Sequence, residues 1–312
     1  MQKMRYIETS SVSMPKVLDD ERKILMERVR TTPCHDEMLN FISILGPKNG
    51  IDLNIFFHNL RSLRILKNDP WFRAYKARNF NKVKAAYNTV ANEIHYDDLS
   101  SSTDMDHEFL HAASTLVDYK NEQILCGFNQ VTWDKRINIG QTLNEGYTHL
   151  LVKRYFVEDD LFFGSSIQVK IAEIIEEIVG PQLMLKSYFS VDLGSVINGL
   201  VKYGSKEQIL KFLENNKPLK TGKLCRRDSH LLFSLYLKNT LDRLMNKDIS
   251  FDTYTTKLAN YFYVLGINYF DDYCKSMLGR DLSIEILAKI KQRSLSDRNV
   301  FIKQMTTRFQ NR

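Results

Sequence analysis

The chain has 312 residues, of which 43% are hydrophobic and 26% charged, and its net charge is +7. That balance excludes a disordered or low-complexity chain and allows a core large enough for two lobes. Pro (6) and Gly (13) are scarce while Leu, Ile, Lys and Glu are common, so a predominantly helical α+β fold is expected.

After a polar stretch at 1–17, apolar residues recur at spacings of three and four over 18–30, 36–45 and 51–66. That period predicts three amphipathic helices. Residues 67–82 read as a loop and a short helix. The β-branched and aromatic residues of 83–96 predict one strand, or a hairpin turning between Asn88 and Asn92. The segment DDLSSSTDMD, 97–106, is a loop dense in capping residues, and the next helix starts from it. Two short strands follow within 121–140, the second ending at Gly140. A helix is then expected over 141–156, with Leu143, Tyr147, Leu150, Leu151 and Tyr155 as its apolar stripe. From 166 onward the pattern is almost all helical. Structural breaks are expected near 160–165 or 215–225.

The four cysteines, Cys34, Cys126, Cys225 and Cys274, are far apart and form no CxxC pair, which fits a reducing compartment. The N-terminal stretch lacks the apolar core of a signal peptide, and no window has the uninterrupted apolar length of a membrane span. A soluble cytoplasmic protein is the default expectation, with export by a leaderless route left open. The most basic piece, 289–312, reads as a solvated helix face; contact with an acidic partner or a nucleic-acid backbone is the alternative.

The stretch DMDHEFLHAAST, 104–115, holds His107, Glu108 and His111 in the order H-E-x-x-H. Residues four apart lie one turn apart on a helix, so the two imidazoles can face one metal ion. Glu108 is one step round, within reach of a water on that metal. Zinc acidifies such a water, and the carboxylate takes its proton as the water attacks a carbonyl. Two histidines leave a catalytic zinc site one ligand short. TLNEGYTHLL, 142–151, supplies Glu145 and, one turn later on the same face, His149. The segment ANEIHY, 91–96, is the candidate edge strand along which an extended substrate would add.

H-E-F-L-H followed by N-E-G-Y-T-H on a second helix resembles the gluzincin division of zincin metallopeptidases. The phrase IGQTLNEGYTHLLVKRYF is similar to the L-N-E-G-[YF]-T segment of bacterial gluzincin-like proteins. The resemblance covers about 83–156. It implies His107, His111 and Glu145 as Zn2+ ligands and Glu108 as general base. It implies a peptide or protein as the partner at the site. At 149 the chain departs from the thermolysin-type pattern, in which an Asp four residues after the ligand glutamate buttresses a histidine of the first helix; here that residue is His149. The corresponding architecture is a zincin-like active-site half with a small sheet, plus an all-helical C-terminal lobe. Residues 1–82 would pack on the core, 83–160 would form the zinc-site region and 161–312 the helical lobe.

Other roles stay open at this point. His149 and Tyr147 would contact a metal ligand or the substrate, although Tyr147 and Tyr155 read first as core residues. Tyr188 is a further candidate donor to an oxyanion. Cys34 beside His35 suggests a thiolate over the metal, or an incidental pair. Asp104 and Asp106 would cap the motif helix or orient a histidine. The alternative functions are a binding protein on a catalytically inactive zincin scaffold and a basic helical protein acting on nucleic acid. No aromatic–basic RNA motif is present, so nucleic acid is not the expected partner. The sequence sets no oligomeric state.

Overall fold

The computed structural model describes residues 6–7, 14–79, 83–157, 166–215 and 224–294. The chain packs as two compact units, Met1–Gly222 and Lys223–Arg312. The stretches 158–165 and 216–223, where breaks are expected, and the basic segment from 295 lie outside the described residues. The helices between 167 and 215 are part of the first unit, together with both motif helices, so the expected lobe 161–312 is divided between the units.

The first unit opens with α1 (Asp19–Val29), α2 (His35–Ser43) and α3 (Asn54–Leu60). The third predicted helix, 51–66, is cut short. Its second half is strand β1 (Arg64–Lys67), paired in parallel with β3 (Glu93–Tyr96) at Arg64↔Glu93 and Ile65↔Ile94. Cross-strand partners there override a helical period that continues past Leu60. Between them lies α4 (Pro70–Arg78). Asp69 caps it by accepting from Trp71 N at 2.9 Å, and Pro70 occupies the first turn, where its missing N–H costs nothing.

Residues 83–96 contain the hairpin alternative: β2 (Ala85–Asn88), a turn in which Asn92 takes a φ of 53°, and β3. The strand order is β1-β3-β2. The 91–96 segment expected at the edge is therefore the central strand, and β2 ends the sheet.

Helix α5 (Ser102–Ala113) carries the first motif. It is capped at Ser101, within the loop rich in capping residues. Ser101 Oγ accepts from Asp104 N at 3.3 Å, and Asp104 Oδ2 accepts from Ser101 N at 2.8 Å. It stops at Ser114, and Thr115–Asp118, with β-branched Thr115 and Val117, forms β4. β4 continues as an antiparallel meander through β5 (Gln123–Cys126), β6 (Asn129–Thr132) and the short β7 (Asn138–Ile139). Helix α6 (Gln141–Phe156) has the expected bounds. α7 (Ile167–Val179), α8 (Pro181–Phe189), α9 (Leu193–Val201) and α10 (Lys206–Asn215) complete this unit among the described residues.

Two aromatic clusters hold the motif helices. Phe109 of α5 packs on Phe41 of α2 at 5.5 Å and on Phe56 of α3 at 6.4 Å, with Phe156 of α6 stacked on Phe41 at 5.6 Å. Tyr147 of α6 meets Phe128 and Tyr188, each at 5.4 Å. Burying a side chain of this kind is worth about 1.5–3 kcal/mol, so each cluster is a strong anchor. Asn59 of α3 also ties down the end of α5, its amide donating to Ala112 O and Thr115 O at 2.8 Å each.

The second unit holds α11 (Arg226–Met245), α12 (Phe251–Leu265), a 3-10 turn at Ile267–Tyr269, α13 (Asp272–Leu278) and α14 (280–294). Phe233, Tyr236, Tyr261, Phe262 and Phe270 form its aromatic core. Asp271 is its polar node. Its carboxylate caps Cys274 N at 3.2 Å and accepts from His230 Nε2 at 2.8 Å and Arg226 Nε at 3.2 Å. Among the described residues of the chain, no helix is long and apolar enough to cross a membrane.

Candidate metal centre

Helices α5 and α6 bring the two motifs face to face. His107 and His111 lie one turn apart on α5, and their Nε2 atoms approach to 3.0 Å. Glu145, in the first turn of α6, closes the triangle. Its Oε2 is 3.6 Å from His107 Nε2 and its Oε1 is 3.6 Å from His111 Nε2. One ligand atom from each of the three residues lies within 4.8 Å of the others, and the three could hold a metal ion. A tetrahedral zinc ion with its usual bond lengths sets its nitrogen and oxygen ligands about 3.3 Å apart, close to these separations.

The charges at the site fit the same reading. Burial pushes the Glu145 carboxyl up, but the charge of His111 and hydrogen bonds to both histidines hold it well below the usual carboxylate range. His111 is raised well above an ordinary histidine; burial opposes this, and the Glu145 charge and Cys126 overcome it. Burial lowers His107 and His149. The Glu145 carboxylate is thus held in its charged form beside the two imidazoles, as a cation site requires.

Each residue of N-E-G has its own task. Asn144 turns its amide toward His111 and its carbonyl toward Phe128 N, from which it accepts at 3.1 Å. Glu145 faces the histidines. Gly146 lies where α7 crosses α6, and a Cβ there would fall 2.1 Å from Gln168 O. Gly127 makes a second close approach possible. Its φ is +53°, and a Cβ would sit 2.2 Å from Asn144 Oδ1.

Glu108 sits beside His107 and turns to the edge strand, where its Oε2 accepts from Tyr87 N at 2.7 Å. Among the described residues it makes no other hydrogen bond. His107, Glu108, His111 and Glu145 all line a cleft of about 360 Å3. Ala85, Ala86 and Tyr87 of β2 line it too, with Ile124, Asn129 and Val131 of the second sheet. Because Tyr87 N points outward to Glu108, the alternation of an antiparallel ladder turns the outer groups of Ala85 and Tyr87 away from β3.

The remaining expected site residues fall elsewhere. His149 touches the metal triangle only through its ring, 4.4 Å from that of His107, and does not line the cleft. Among the described residues His107 Nδ1 is buried without a hydrogen-bond partner, so His149 does not buttress it. Tyr147 is fully buried on another face of α6, where its hydroxyl donates to Glu176 Oε1 at 3.1 Å, and it is not among the residues that line the cleft. Glu176 is in turn held by Arg154 at 3.0 and 2.6 Å. Tyr188 is buried, sharing a 2.8 Å hydrogen bond with Thr148. Cys34 is buried at the N-cap position of α2, where its side chain makes no capping hydrogen bond, and His35 pairs with Asp36 at the surface, both away from the cleft. Asp104 caps α5, whereas Asp106 is buried, and burial followed by the nearby Glu37 pushes its carboxyl up to about 7.

Three participants were not anticipated: Asn144, Cys126 and the backbone of Tyr87. Asn144 had a signal, its place beside Glu145 in N-E-G. Cys126 had none, because its contact with His111 arises only when β5 folds back along the end of α5.

No protein-family model, curated protein or solved structure matches this chain.

Proposed function

We propose that the chain is a zinc-dependent peptidase, with His107, His111 and Glu145 as the ligands and Glu108 as general base. The observation that carries this reading is one of geometry. Two imidazole nitrogens and a carboxylate converge at 3.0–3.6 Å, and a second carboxylate on the same helical turn faces a cleft bounded by an edge strand. Two nitrogens and an oxygen suit zinc better than the all-oxygen sets of calcium or magnesium.

When bound, zinc supplies a Lewis acid that acidifies water and polarises a carbonyl group. The protein's own share is placement and proton transfer. The outward groups of β2 at Ala85 and Tyr87 would hold an extended substrate by main-chain hydrogen bonds, in the manner of an added strand. Glu108, displaced from Tyr87 N by that substrate, takes up the proton released in the attack and passes it to the leaving amine. General-base catalysis of this kind contributes about 10²–10⁴ in rate.

The test pairs metal content with turnover. Purified protein should hold one zinc per chain by elemental analysis and cleave an unfolded protein substrate, with products read by mass spectrometry. Glu108→Gln should keep the metal and lose activity by about 10²-fold or more. Glu145→Ala should lose the metal. Zinc bound without turnover would point to the binding-protein alternative. Absence of stoichiometric zinc, with Glu145→Ala unchanged in every respect, would overturn the proposal.

A further inference from the structure

On the side of His111 away from Glu145, two polar side chains meet Nδ1. Cys126 Sγ lies 3.6 Å from it and 4.0 Å from the carbonyl oxygen of His111. Asn144 Nδ2 lies 3.5 Å from the same Nδ1 and 3.8 Å from Sγ. The orientation of the Asn144 amide is fixed, since its oxygen must face Phe128 N–H at 3.1 Å. Its NH2 group therefore faces His111, and an N–H group cannot accept a proton from the imidazole.

His111 has two neutral tautomers. With the proton on Nε2, Nδ1 would accept from Asn144 and the ring could not bind a cation through Nε2. With the proton on Nδ1, the lone pair of Nε2 points toward His107 and Glu145. The second form needs an acceptor beside Nδ1, and among the described residues the sulfur of Cys126 is the one in reach. The thiol proton has its own acceptor in the His111 carbonyl, which leaves sulfur lone pairs toward Nδ1. Cys126 is buried at 4% exposure on the wall of the cleft, with its sulfur in reach of both the ring and the His111 carbonyl.

We infer that Cys126 is a positioning residue that selects the metal-binding tautomer of His111. The inference rests on the metal centre proposed above. It assigns Cys126 no ligand role, since its sulfur meets the opposite nitrogen of the ring. A group that orients a ligating histidine in this way is typically worth 10–100-fold in metal affinity.

The experiment measures Zn2+ affinity by competition with a chromophoric chelator. Cys126→Ala should weaken binding by about 10–100-fold. Cys126→Ser keeps an acceptor and should fall between wild type and alanine. Thermal melting of the metal-free proteins checks that each is folded; if the alanine variant is not, the serine variant carries the comparison. The same substitution is then made in two backgrounds. In His107→Gln it should cost the same factor as in the wild type, because His107 does not touch Cys126. In His111→Gln it should cost nothing further, because there is no tautomer left to select. Equal losses in both backgrounds, or none in the wild type, would overturn the inference while leaving the metal centre standing. A wild-type protein that takes up no zinc overturns both.

Discussion

Replacing Gly146 by Ala tests whether the glycine of N-E-G serves the packing of α6 rather than the chemistry of the site. The added Cβ would lie 2.1 Å from Gln168 O and 2.4 Å from Gln168 C. Ordinary contact begins near 3.4 Å, so α6 and α7 must part by about 1.3 Å or the chain must bend. The obstacle is backbone, which cannot swing aside as a side-chain tip would. Overpacking of this kind costs about 1–3 kcal/mol, and a backbone clash belongs at the upper end. Alanine recovers about 1 kcal/mol through its higher helix propensity. The net expectation is a loss of about 2 kcal/mol, or a drop of about 5 °C in the melting of the first unit. Urea denaturation followed by circular dichroism measures it. A Gly146→Ala protein as stable as the wild type, or stabilised by its helix propensity, would refute the close crossing of the two helices.

Two further substitutions separate structural from functional roles. Tyr147→Phe removes the hydroxyl that donates to Glu176 and should cost about 1.5–3 kcal/mol by chemical denaturation, with zinc affinity unchanged; a change in affinity alone would return Tyr147 to the site. In the second unit, burial raises the Asp271 carboxyl, but the His230 hydrogen bond and the capped Cys274 N–H outweigh it and bring it to about 2. The unfolded value is higher, so this carboxylate stabilises the fold above pH 4 and ceases to do so as the pH falls through 2. Asp271→Asn should therefore cost about 2 kcal/mol at pH 7 and almost nothing near pH 2. A difference that stays constant over that range would contradict the assignment.

The helices were legible because their signals are local. The 141–156 segment has an apolar stripe and strong helix formers, and the structure gives it the expected bounds. The end of α5 is a matter of one residue's neighbours. Thr115 and Val117 favour a strand once β5 returns beside them, which no local period announces. The same holds for β1, whose residues Ile65 and Leu66 continue a helical spacing yet pair with β3. In the site, H-E-x-x-H and N-E-G place three ligand candidates on two helices, and the structure brings those three together. The edge strand was misplaced because the alternation of 83–96 fits either arm of a hairpin. Which arm lies outside depends on β1, some thirty residues earlier in the chain. Tyr147 belongs to the core because α6 is covered on several faces at once, and a single apolar stripe does not record that.

The bond between Tyr87 N–H and Glu108 also matters to the molecule at rest. An end strand offers its unpaired amides to any extended chain, including another copy of itself, and long bare edges seed aggregation. Here the strand is four residues long, and a negative charge is already fastened to its outward amide. Glu108 therefore acts as a stopper on the sheet margin. In the proposed function the chain that unseals the strand would also release the base, so the readiness to react and the risk of sticking would be governed by a single hydrogen bond.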